Sequence, residues 1–155
     1  MTITFDQIVL MSLEEWELAI GTAPSDDLRI KLIEEELLEW RIAFRDFLKE
    51  TADVIYVVAG AQRVGIDVDE ELRARIYEFI DFTAALDGLN PGIISESFLR
   101  VNESNMSKLG DDGQPVRRED GKVLKGPNYK PPRLMDLVPA APIVNLDAEN
   151  YYAGA

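Results

Sequence analysis

Apolar and polar positions along this chain repeat with helical spacing and almost never alternate. Between Phe5 and Ile20 the stripe Ile8, Leu13, Trp16 and Ile20 predicts a first helix that ends at Gly21. A linker containing Pro24 follows. Ser25 or Asp26 can cap a second helix that runs to about Phe44, and Asp46 can cap a third from Phe47 to Val64, stopped by Gly65. Asp67 is the expected cap of a fourth helix, in which Leu72, Ile76, Phe79, Thr83 and Leu86 form one stripe before Gly88. Asn90-Pro91-Gly92 reads as a turn, and Ile93 to about Lys108 as a fifth, weaker helix.

Beyond Lys108 the pattern changes. DDGQP and EDGK are turn signals, and the prolines of GPNYKPP exclude a helix. The last stretch, LVPAAPIVNLDAENYYAGA, is apolar enough to dock on a neighbour but irregular. The expected architecture is all-α. Residues 1–108 form a core of four to five helices, and residues 109–155 an extended basic arm and tail packing on that core or on a neighbouring subunit.

Composition narrows the chemistry. The chain of 155 residues has no cysteine and no histidine, which removes disulfides, thiolate metal sites and the commonest general base. Acid–base or metal chemistry must then use carboxylates, lysine, tyrosine or water. A net charge of −13 argues against nucleic acid or an anionic membrane as a partner. No apolar run is long enough to span a bilayer, and the first residues do not read as a signal peptide, so a cytoplasmic protein is expected. The charge is uneven: residues 1–99 hold 21 acids against 8 bases, whereas residues 100–133 hold 5 against 8.

On a wheel at 100° per residue, Glu36 and Glu39 share a sector with Leu28, Leu32 and Ala43, while Glu34 falls on the opposite, charged side and Glu35 at the edge. Glu50 and Asp53 share a sector with Val57, Gly60 and Val64. An antiparallel hairpin turning near Phe44 and Arg45 would set Glu36 level with Asp53 and Glu39 level with Glu50, the two levels about 4.5 Å apart. Like charges that close repel by roughly 4 kcal/mol per pair at an effective dielectric of 20. No cation except Arg29 lies in those sectors, so the expectation is an all-oxygen cage for Mg²⁺, or Mn²⁺. A solvated acidic face is the plainer alternative for any such run.

The basic segment complements that cage. Lys108, Arg117, Arg118, Lys122 and Lys125 spread five cations over eighteen residues, preceded by Asn102, Ser104, Asn105 and Ser107. A polyphosphate needs donors of this kind. A solvated loop is the alternative.

The blocks Glu35-Glu36-x-x-Glu39 and Lys49-Glu50-x-x-Asp53-x-x-Tyr56, then SNMSK ending at Lys108 and RxDGKxxKGPNYKPP from Arg118, resemble the MazG-like all-α nucleoside triphosphate pyrophosphohydrolases, in particular their phage branch. The resemblance covers about residues 28–132 and several motifs in order. It implies Mg²⁺-dependent cleavage of a purine (deoxy)nucleoside triphosphate, most of all dGTP or dATP, between the α- and β-phosphates, yielding the monophosphate and pyrophosphate. It also implies two or more ions per site, a dimer or tetramer, and a place in phage nucleotide metabolism linked to 2-aminoadenine, hence host cytoplasm. By the same resemblance Glu36, Glu39, Glu50 and Asp53 are metal ligands, Glu35 assists them, and Lys108, Arg118, Lys122 and Lys125 meet the phosphates. Trp16, Asn102 and Asn105 are candidates by their chemistry for the base or sugar. A pyrophosphohydrolase for dCTP, dUTP or phosphoribosyl-ATP, or a non-catalytic helical scaffold, are the competing expectations.

Overall fold

The computed structural model describes residues 5–21 and 25–139, and over these it is all-helical apart from turns and two isolated bridges. The linker at Pro24 and the tail from residue 140 lie outside the described residues. Four α-helices follow in order: α1 Phe5–Ile20, α2 Asp26–Arg63, α3 Glu70–Leu89 and α4 Ile93–Met106, with a short 3₁₀ turn at Met135–Leu137.

The main departure from the sequence reading is α2. It runs for 38 residues through Phe44, Arg45 and Asp46 without a turn, so the expected hairpin is absent. The local chemistry explains why. No proline or glycine occurs between Asp26 and Ala59, so nothing forces a break. Asp46 does not cap; it accepts from Arg45 Nε and Nη2 at 2.9 and 2.8 Å. The Phe44 and Phe47 rings, three residues apart, meet at 6.0 Å across one helical face. The helix starts at Ser25, whose Oγ accepts from Leu28 N at 3.4 Å, and ends at Gly65, where Ile66 N bonds Ala61 O and Gly65 N bonds Gln62 O. That pair of bonds is a Schellman closure, and Gly65 provides its left-handed residue at φ 72°.

Two compact units emerge, one containing the described residues up to Trp40 and one spanning Arg41–Pro139. In the first, an Arg29–Glu17 ion pair of 2.5 Å links α2 to α1, and no described side chain is fully buried. The second holds the core, a cluster of Leu48, Ala52, Ile93, Val101 and Leu134, with Phe44, Phe47, Leu86 and Phe98 packed on it. Phe47 meets Phe82 of α3 edge-on at 5.9 Å. The α3 stripe is borne out in Thr83, which is buried, and in Leu86. Its cap is Asp69, which accepts from Leu72 N at 2.8 Å, rather than Asp67, which pairs with Arg73.

Residues 109–139 belong to the same unit as α3 and α4. Arg100 of α4 donates to Arg133 O and Asp136 Oδ1 at 2.7 and 2.6 Å, while Ser104 Oγ donates to Lys130 O at 2.7 Å. Leu134 then enters the core. The two turn signals behave as read. Gly113 and Gly121 sit at positive φ, and the bridges Leu109–Pro115 and Arg117–Val123 close a tight ribbon around each.

Candidate functional site

Three separate sequence blocks meet at one cavity of the second unit. From α2 come Asp53 and Tyr56, three residues apart and so on one helical face. From the end of α4 come Asn105 and Lys108. Arg117 and Lys122 come from the second ribbon, and the cavity has a volume of about 560 Å³. Clefts that bind small molecules commonly have about this size, roughly 300–1,000 Å³.

Each element places its residue for a local reason. The helix ends at Met106 with Ser107 as its C-cap, so Lys108 lies in a turn, and its Nζ donates to Asn105 Oδ1 at 2.5 Å. Gly126 fixes the arm against that turn: a Cβ there would lie 2.8 Å from Lys108 O, too close for any side chain. In the second ribbon the Arg117–Val123 bridge puts both side chains on one face, and Pro115, two residues earlier, shares it; all three line the cavity. Arg117 is anchored by an Nη1 bond to Gly121 O at 2.8 Å. Three cations thus face a single carboxylate, Asp53, in a chain that is acidic as a whole. Such a wall suits an anion carrying several charges.

Lys49 alters the expected electrostatics. Its Nζ donates to Glu50 Oε1 at 2.6 Å and to Asp53 Oδ2 at 2.8 Å. Asp53 foremost, then Glu50, therefore hold the ammonium pKa above its ordinary value. Lys49 lies only 40° from Asp53 on the helical wheel and its long stem covers that arc, which a comparison of sectors misses.

The remaining candidates separate clearly. Glu35, Glu36 and Glu39 are exposed on α2. Glu50 is exposed and Asp53 half-buried. Among the described residues no three acidic side chains form a group that could hold a metal ion, so the four-carboxylate cage fails with the hairpin it required. Two hard oxygen ligands remain together, and Mg²⁺ chemistry accepts that number, because the ion binds through one or two carboxylates plus substrate phosphates and water. Glu50 and Asp53 are those two, and the Lys49 ammonium holds both.

Arg118 is not a lining residue and is held by Asp120 through Nε and Nη2, so its guanidinium pKa is raised and the Asp120 carboxyl is lowered. Lys125 is not a lining residue; its Nζ sits 4.6 Å from the centre of the Tyr129 ring. Asn102 is half-buried on α4 and not part of the wall, and Trp16 is 62% exposed on α1. Arg117, counted in the basic segment but not among the phosphate-binding residues implied by the resemblance, lines the cavity, as does Tyr56, which was given no role. The signal for Arg117 was the symmetry of VRREDGKV about its turn, which selects alternate residues for one face.

No protein family, curated protein or solved structure matches this chain. No described helix is long and apolar enough to cross a membrane.

Proposed function

We infer that the chain is a phosphoanhydride hydrolase acting on nucleotides. Within that class the reading is a pyrophosphohydrolase of purine (deoxy)nucleoside triphosphates, dGTP or dATP, that releases the monophosphate and pyrophosphate. The motif blocks resemble the phage (d)ATP/(d)GTP pyrophosphohydrolase MazZ, associated with 2-aminoadenine genomes. The observation carrying this reading is the meeting of Asp53, Asn105, Lys108, Arg117 and Lys122, drawn from three distant blocks, around one cavity.

In this reading Lys108, Arg117 and Lys122 bind the triphosphate and offset its charge. Glu50 and Asp53 would hold Mg²⁺ arriving with the substrate, and the ion would supply Lewis-acid neutralisation of phosphate charge. Lys49 must release both carboxylates for that, which leaves its ammonium free to turn toward the incoming phosphates. With no histidine in the chain, a carboxylate or the metal ion itself must take the proton of the attacking water. The chain is further read as a homo-oligomer, because α1 and the early part of α2 expose Met11, Trp16, Leu18, Ile30 and Ile33.

A partner-binding scaffold is the second reading, favoured by those same apolar residues and by the missing cage. Pyrophosphate release measured on dATP, dGTP, dCTP and dUTP with Mg²⁺ separates the two. The expected result is turnover of a purine substrate, reduced at least about 100-fold in Asp53→Asn, as for loss of a group acting in the transition state. Inactivity toward every purine triphosphate overturns the substrate assignment, and inactivity toward all nucleotides favours the scaffold.

A further inference from the structure

The cavity lining combines two kinds of group. Lys108, Arg117, Lys122 and Asn105 give the lining its cationic and polar groups, whereas Tyr56, Met106 and Leu109 add a ring, a thioether and an aliphatic side chain. A nucleotide combines two matching parts, a polyanion and a flat heteroaromatic ring. The geometry points to Tyr56 as the stacking platform for the substrate's base. This assignment rests on the nucleotide reading above and adds to it the residue that receives the ring.

Tyr56 is suited by support as well as position. Its ring lies 6.1 Å from that of Phe98 with planes inclined at 31°, a tilted contact that braces the tyrosine. Phe98 in turn packs on the buried cluster of Leu48, Ala52, Ile93, Val101 and Leu134, so the brace is anchored in the core. The tyrosine remains 44% exposed and lines the cavity. A ring that is braced and still exposed can accept a base without reordering, which limits the entropy lost on binding. Asp53 lies one helical turn before Tyr56 on the same face, so the carboxylate and the base platform would stand within one turn of α2. Met106, 57% exposed and also in the wall, adds a polarizable group to the same cavity.

The test compares dGTP with inorganic tripolyphosphate, which has the charge and no ring. Binding of each is measured by calorimetry on the full chain for wild type, Tyr56→Ala, Tyr56→Leu and Tyr56→Phe. Base–aromatic stacking contributes about 1–3 kcal/mol, which is roughly 5- to 150-fold in affinity. Tyr56→Ala and Tyr56→Leu are expected to weaken dGTP by a factor in that range and leave tripolyphosphate within about twofold, while Tyr56→Phe restores the dGTP affinity. Leucine keeps an apolar contact on Phe98, so it serves where alanine fails to fold. Equal losses for both ligands, or none for dGTP, overturn the platform. If wild type binds neither compound, the nucleotide reading itself falls.

Discussion

The guanidinium of Arg118 is bound through two nitrogens to Asp120 at the tip of its ribbon, whereas Arg117, one residue earlier, spends one Nη1 bond on Gly121 O and lines the cavity. Substitution should therefore separate them. Arg117→Ala removes a charge-assisted donor of about 1.5–3 kcal/mol and should raise KM for the triphosphate about 10-fold or more. Arg118→Ala should change KM by less than about twofold, because its charge is already matched locally. Steady-state kinetics on both variants checks the assignment, and a larger effect at Arg118 would contradict it. The acidic residues teach the same lesson in reverse. A wheel ranks side chains by the direction of their Cα atoms, yet Lys49 reaches Asp53 because a four-carbon stem crosses the 40° between them.

At the scale of elements, capping chemistry gives a direct test. Asp69 accepts from Leu72 N at the start of α3, so Asp69→Ala should cost about 1 kcal/mol in denaturant unfolding. Asp67 lies beyond the helix in an exposed pair with Arg73, so Asp67→Ala should cost less than about 0.5 kcal/mol. The arm has its own pH signature. Arg100 holds the Asp136 carboxyl below the usual carboxylate range, so its contribution is present above the unfolded value near 3.9 and is lost as pH falls through the lower folded value. Thermal midpoints of wild type and Asp136→Asn should therefore differ at pH 6, start to converge as pH falls below about 4, and meet only below the folded value. A gap that persists at low pH would mean the carboxylate is not the source. Most boundaries were legible because they have chemical markers: Gly21 after α1, Ser25 before α2, Gly65 after it, and glycine in both ribbon turns. The false break at Asp46 arose because aspartate favours caps, yet a cap residue does not end a helix where proline and glycine are absent from Asp26 to Ala59 and the Phe44–Phe47 pair spans the position. The cage fell with that break, whereas the cavity was recoverable because its blocks were each recognised, though not the face of the ribbon that supplies Arg117.

For the whole molecule, the unused apolar surface is the feature with the largest consequence. Among the described residues of the first unit none is fully buried, and Leu18 is 83% exposed, Trp16 62% and Ile33 58%. Isolated exposed apolar residues are ordinary, but many together, with none fully buried among the described residues of the unit, mark an interaction surface. A second copy of the chain would bury these side chains, at about 25 cal/mol per Å² removed from water. Opposing this is the charge of −13 on each copy, which salt screens over about 10 Å at 0.1 M. Association should therefore strengthen as salt rises from 20 to 300 mM, the opposite of an interface held by ion pairs. Sedimentation at micromolar concentration is expected to give a multiple of the monomer mass, and the double variant Leu18→Asp with Ile33→Asp should shift it toward monomer. A wild-type monomer across that salt range would remove self-association and leave these helices without a partner of their own kind.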